Sequence, residues 1–207
     1  MSHTDLENAA LVIVDVQNDF CPGGALAVPE GDRVIPVLNG VIGRFEAGGR
    51  PVYATRDWHP HDTTHFQASG GPWPRHCVAG TAGAELHPDL QVPRDAVVVS
   101  KGQATDDAGY SAFEGTTADG RDLASDLRAR GVSRLYVGGL ATDYCVRATV
   151  LDARRAGFEV TVLSDGVAGI GADDTRRALD EMRAAGAAVA PSGVTATRAE
   201  SLRSRPR

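Results

Sequence analysis

Lysine is nearly missing from this chain: of its 21 Lys and Arg residues, only Lys101 is lysine. Where arginine has taken almost every positive position, a retained lysine marks either chance or a place that suits a compact ammonium better than a planar guanidinium. A basic surface is missing as well. The formal net charge of −6 excludes the electrostatic footprint that nucleic acids and anionic membranes require. No apolar run approaches the ~20 residues of a membrane-spanning helix. The segment Met1–Asn8 is polar and acidic and has no signal-peptide pattern, so a cytoplasmic setting is expected. Cysteines are few and odd in number: Cys21, Cys77 and Cys145. They read as free thiols and not as a disulfide frame, and the lack of a Cys-x-x-Cys pair speaks against a zinc or redox module. No interface pattern stands out, which leaves a homo-oligomer open.

What is present suits one α/β domain. The 207 residues are 42% hydrophobic and 23% charged, enough to cover a single core, with a mobile tail expected over residues 192–207. Ala9–Val16 is a near-continuous apolar run, as a strand buried on both faces reads. Further strands are expected at Pro51–Thr55, Ala96–Ser100, Arg134–Leu140, Phe158–Leu163 and Ala187–Ala190. Helical spacing covers Asp32–Ala47, Arg121–Arg130, Thr142–Ala156 and Asp173–Ala185. Strands alternating with helices predict a parallel sheet covered on both faces, a three-layer α/β/α domain. Residues 56–94 have little periodicity but carry five histidines and three aromatics, and a loop that long in a compact domain is usually functional or disordered.

Ligands of open parallel sheets bind outside the carboxyl ends of the strands. Asp15, Asp57, Lys101 and the segment Ala141–Cys145 fall at those ends. Cys145 follows a strand and enters a helix with Thr142 as its expected N-cap, so unpaired N–H groups and the helix dipole favour a thiolate there. The other reading is a small buried packing cysteine. Asp15 closes an apolar strand, where a carboxylate of raised pKa can serve as general base or can cap the following loop. Lys101 can pair with it. Asp57, His59, His65 and His76 offer one carboxylate and three imidazoles, a set suited to a divalent transition metal, with His61 a competitor and His87 a weaker one.

These pieces, in VDVQNDFCPGGALAV (Val14–Val28), RDWHPHDTTHF (Arg56–Phe66), PWPRHCVAGTAGAELHP (Pro72–Pro88), SKG (Ser100–Gly102), YSAFEG (Tyr110–Gly115) and GLATDYCVRATVLDA (Gly139–Ala153), resemble the isochorismatase-like cysteine hydrolases, and among them the nicotinamidase/pyrazinamidase group. The resemblance implies a six-stranded parallel sheet and a triad of Asp15, Lys101 and Cys145. It also implies one divalent metal ion (Zn, Fe or Mn) held by Asp57, His59, His65 and His76. It places a cis peptide at Leu140–Ala141, turning the Ala141 N–H toward an oxyanion beside the Cys145 N–H. It sets Phe20 and Trp73 around a pyridine ring with Tyr110 nearby. Tyr144 receives no role. The expected reaction is hydrolysis of nicotinamide to nicotinic acid and ammonia through a thioester, with pyrazinamide a second substrate. A carbamoyl or ureido amide is the alternative.

Overall fold

The computed structural model describes residues 6–194. Strand β1 (Ala9–Val14) is buried along its whole length, and its side chains divide by the period of two that a pleated strand imposes. Leu11 and Ile13 enter one core; Ala10, Val12 and Val14 enter the other. Around it lie β2 (Val52–Asp57), β3 (Val97–Lys101), β4 (Thr116–Thr117), β5 (Arg134–Leu140), β6 (Glu159–Ala168) and β7 (Ala188–Ala190), in the order β4-β3-β2-β1-β5-β6-β7. Six of these strands are parallel; β4 alone runs antiparallel, against Val99 and Ser100 of β3. The sheet thus has seven strands where six were expected. Two threonines carry no alternation from which an edge strand could be read.

Helix α1 (Val34–Ala47) lays Val34, Ile35, Leu38, Val41, Ile42 and Phe45 on the Leu11/Ile13 face. Pro36 is tolerated because it falls in the first turn, where its missing N–H has no partner to lose. Helices α2 (Leu123–Ala129), α3 (Arg147–Arg155) and α4 (Ala172–Ala184) cover the other face through Leu123, Leu127, Val150, Ala153, Ala178 and Met182. Each fully buried Leu or Ile of these layers stabilises the fold by about 1.5–3 kcal/mol. The helix expected over Thr142–Ala156 is divided. Thr142–Val146 form a wide π-type turn in which the Val146 N–H reaches the Ala141 carbonyl (3.1 Å), and α3 begins only at Arg147. Thr142 lies inside that turn and its side chain caps nothing. The tail expected from residue 192 is held for its first three residues. Ser192 donates through its N–H and Oγ to Asp165 (2.7 Å each), and Arg44 donates to the Ser192 and Gly193 carbonyls. Residues 195–207 lie outside the described ones. Among the described residues, no helix is long and apolar enough to cross a membrane.

One polar knot ties the sheet to α2. The buried Tyr53 hydroxyl donates to Asp126 Oδ2 (2.6 Å), which also accepts from Arg130 Nε (2.9 Å), while Arg121 pairs with Oδ1. Burial opposes a charge on Asp126, but the Tyr53 hydroxyl and both arginines keep its carboxyl below the usual range. A depressed folded-state pKa stabilises fully above the unfolded value of about 3.9 and ceases to do so as pH falls through the lowered one. Asp126→Ala strands the Tyr53 hydroxyl and should cost about 2–3 kcal/mol in urea unfolding at pH 7, against about 1 kcal/mol for Tyr53→Phe, which leaves no orphan. Equal losses in the two variants would refute this account.

Candidate active site and metal centre

The carboxyl ends of β1, β2 and β3 and the turn after β5 meet at one point. Asp15 follows β1 with a positive φ of 50°, a conformation aspartate tolerates better than most residues. Its backbone N–H donates to Thr55 Oγ1 (3.3 Å), and the Thr55 hydroxyl donates back to Asp15 Oδ1 (2.6 Å). Thr55 and Asp57 alternate along β2, so they share a face. Lys101 ends β3 directly beside Asp57 in the sheet register. Its Nζ donates to Asp57 Oδ1 and to the Gly109 carbonyl (2.7 Å), lies 2.7 Å from Asp15 Oδ2, and stands 3.6 Å from Cys145 Sγ. The lone lysine is fully buried.

The charges follow from this packing. Burial disfavours the Lys101 ammonium, but Asp15 and Asp57 outweigh it and raise its pKa well above the ordinary value. Burial likewise opposes ionisation of Asp57, yet Lys101 and His59 hold its carboxyl below the usual carboxylate range. Asp15 moves the other way: burial pushes it up to about 6, Lys101 pulls against that, and Asp57 adds to it. Cys145 is raised well above its ordinary value, first by burial, with Lys101 opposing and the two carboxylates adding. Against the expectation of a helix-stabilised thiolate, burial and the two carboxylates raise the thiol, while Lys101 pulls toward the thiolate.

Three imidazoles gather on the other side of Asp57. One ring nitrogen from each of His59, His65 and His76 lies within 4.8 Å of the others. His59 Nδ1 faces the Gly102 carbonyl (3.0 Å) and His76 Nδ1 the Pro74 carbonyl (2.7 Å). A carbonyl can only accept, so both Nδ1 atoms carry the proton and both Nε2 lone pairs are free, the tautomer metal-bound histidines adopt. His59 Nε2 is buried without a hydrogen-bond partner and sits 3.7 Å from Asp57 Oδ2. Burial and the neighbouring rings lower His65 to about 4, and burial lowers His76, which favours the neutral imidazoles that can accept a cation. An orphaned lone pair, neutral imidazoles and an adjoining carboxylate fit a divalent cation. Gly102 makes room for the group: at its φ of +64°, a Cβ would come within 2.4 Å of the His59 ring.

Asp57 belongs to both sets, with one oxygen on Lys101 and the other toward His59. The structure thus brings together all four residues expected around a metal and all three expected in the triad. His61 is exposed, its ring near Asp62, and His87 accepts from the Asp89 N–H on a separate surface groove; neither joins the cluster. A pocket opens onto both centres and is lined by Phe20, Trp73, Tyr110, Ala141 and Cys145 together with Asp57, His65 and His76. Trp73 Nε1 donates to the Tyr110 hydroxyl (2.8 Å). The Leu140–Ala141 peptide is cis. The Leu140 side chain is fully buried in the core and is not part of the pocket wall.

Several contributors escaped the sequence reading. Gln17 is fully buried and clamps Asp57 by its backbone: Oε1 accepts the Asp57 N–H and Nε2 donates to the Asp57 and Ala84 carbonyls, all at 2.8 Å. A polar amide just past a buried strand was the available signal. Thr55, a polar residue in an apolar strand end, was another. Tyr144 also lines the pocket, edge-on to Trp73 at 5.0 Å, as do Leu26, Val28 and Ile170.

Comparison with known proteins agrees with this geometry. The isochorismatase domain model matches residues 9–193. The nicotinamidase/pyrazinamidase of Mycobacterium tuberculosis is 46% identical over 85% of this chain and 95% of its own length, and the nicotinamidase of Escherichia coli is 43% identical over 86% and 92%. The crystal structure of the pyrazinamidase of Pyrococcus horikoshii in complex with zinc superposes with a TM-score of 0.84 at 51% identity, covering 89% of this chain and 99% of that one. A match through nearly the whole sheet, with relatives this similar over most of their length, makes this chain a member of the isochorismatase-domain family.

Proposed function

We propose that this chain is a metal-dependent cysteine amidohydrolase that converts nicotinamide to nicotinic acid and ammonia, and that it also hydrolyses pyrazinamide. The observation that carries the reading is a single aromatic pocket bordered on one side by a thiol in contact with a buried Lys–Asp pair and on the other by three converging imidazoles. An aromatic amide with a ring nitrogen has a partner for each of its parts there. Phe20, Trp73 and Tyr110 take the ring, and the carboxamide meets Cys145. His59, His65, His76 and Asp57 would hold a Zn, Fe or Mn ion, whose chemistry there would be that of an electron-pair acceptor suited to a ring nitrogen. The relatives named for nicotinamide and pyrazinamide support this substrate choice. On this reading residues 1–207 act as one hydrolase domain in the cytoplasm, in the return of nicotinamide to NAD synthesis.

Asp15 accepts the Cys145 proton as sulfur attacks the carboxamide carbon. Lys101 stays within reach of both groups, so the negative charge passes from one of its neighbours to the other without changing in sum. The Ala141 and Cys145 N–H groups stabilise the oxyanion, a contribution worth about 3–4 kcal/mol per donor in related chemistry. Asp15 then protonates the departing ammonia, leaving a thioester, and takes a proton from the water that releases the acid.

Ammonia release from nicotinamide by purified, metal-loaded protein tests the reaction. Cys145→Ala should lower kcat by about 10⁴-fold or more while metal content stays at the wild-type level; appreciable turnover by the variant would remove Cys145 as nucleophile. Chelation should abolish turnover, and added metal should restore it. Full activity in the metal-free protein, or a preference for ureido and carbamoyl amides, would favour the alternative substrate class instead. A base must be ionised to act. With Asp15 near 6, kcat/KM should be level above neutrality and fall about tenfold per unit at lower pH. A profile flat down to pH 4.5 would exclude Asp15 as the base.

A further inference from the structure

Tyr144 and Ile170 are the large hydrophobic side chains left exposed among the described residues, at 37% and 41%, and both stand at the pocket. Ile170 has no packing task that explains it. It sits between Gly169 and Gly171, so its side chain is the only one on its loop, between the end of β6 and the start of α4. That loop is tied to the nucleophile's own turn. The Ile170 N–H points at both carboxylate oxygens of Asp143 (3.2 Å each), and the Gly171 N–H approaches Oδ2 (3.5 Å). Glycine at 169 permits the approach: a Cβ there would stand 2.1 Å from Thr175 Oγ1 and 2.9 Å from Asp143 Oδ1.

From this we infer that Ile170 is a specificity-determining residue that limits the pocket to one-ring aromatic amides, and that Asp143 is the positioning residue that holds it at the rim. The inference rests on the amidohydrolase reading above. A carboxamide carbon in contact with Cys145 and a ring nitrogen directed at the imidazoles fix two edges of the ring at the buried end of the pocket. The remaining edge faces the more exposed wall, where Ile170 and Tyr144 stand. Covering an exposed isoleucine with a flat apolar edge is favourable, and a second ring fused to that edge meets its β-branched side chain, which is stiff at χ1 and cannot easily step aside. Because Asp143 lies two residues before Cys145, the rim is referenced to the nucleophile through one short turn.

The test is the ratio of kcat/KM for quinoline-3-carboxamide, which carries a fused second ring, to that for nicotinamide. Metal-loaded wild type, Ile170→Ala, Asp143→Ala and Asp143→Asn are compared. Ile170→Ala should raise the ratio about tenfold or more, the range a few apolar atoms command in such pockets, with its loss on nicotinamide falling mainly on KM. Asp143→Ala should move the ratio the same way. Asp143→Asn, which keeps a carbonyl to accept the Ile170 N–H, should stay close to wild type. Thermal melting separates this from unfolding, since an exposed side chain contributes little to stability. A wild type active on nicotinamide with an unchanged ratio in Ile170→Ala overturns this inference alone. A wild type inactive on both amides overturns the amidohydrolase reading, and this inference with it.

Discussion

Lys101 brings a positive charge to a fully buried position, and the surrounding structure is organised so that the charge can remain there. An ammonium in a dry interior costs several kcal/mol unless it is paired and hydrogen-bonded. Asp15 and Asp57 supply the charge, and the Gly109 carbonyl supplies a further acceptor. These partners come from two strand ends and a loop, and Lys101 itself ends a third strand, so the ion pair ties β1, β2 and β3 together at the end where the chemistry lies. The carboxylates would be costly alone; around one ammonium, three ionised groups leave a single net negative charge. Burial first, and the neighbouring carboxylate charge after it, push Asp15 up to about 6 and raise the Cys145 thiol. The net negative charge is what a proton transfer from sulfur to Asp15 moves, from one side of Lys101 to the other.

The second centre depends on the first through Asp57. One of its oxygens is committed to Lys101, which keeps the carboxylate ionised, and the other turns toward His59. Gln17 holds the Asp57 backbone on both its N–H and its carbonyl, so the residue shared by two charged groups is fixed by a neutral one. The imidazoles are oriented independently, by carbonyls of Gly102 and Pro74. Gly102 immediately follows Lys101, so one short stretch of chain delivers the ammonium to the first centre and sets the ring of His59 in the second.

Much of this was legible before any coordinates. The parallel strands announced themselves because a strand buried on both faces must be apolar throughout, as Ala9–Val14 is. The reactive residues were legible because each stands where such a strand stops. What failed has a common cause: local sequence does not report burial or distant partners. Thr142 looks like an N-cap, but the chain makes a wider turn there, and the cap geometry vanishes with it. Cys145 looks like a helix-end thiolate until Asp57 and Asp15, 88 and 130 positions earlier in the numbering, are placed beside it. Gln17 is unremarkable until Asp57 is folded against it.

The histidine-rich loop shows how structure chooses among equal candidates. Residues 56–94 carry five histidines, and their type alone does not tell which of them meet. Burial divides them. His59, His65 and His76 are buried and converge, whereas the side chain of His61 is 77% exposed. A neutral imidazole with a free lone pair is a poor use of a buried position unless something accepts that pair, and His59 Nε2 finds no acceptor or donor within the protein. That unsatisfied atom stands beside the carboxylate of Asp57, kept ionised by Lys101. The two centres, the aromatic walls and the rim are therefore consequences of one arrangement, in which the strand ends converge on a buried ammonium and the loops that follow them supply what the strands cannot.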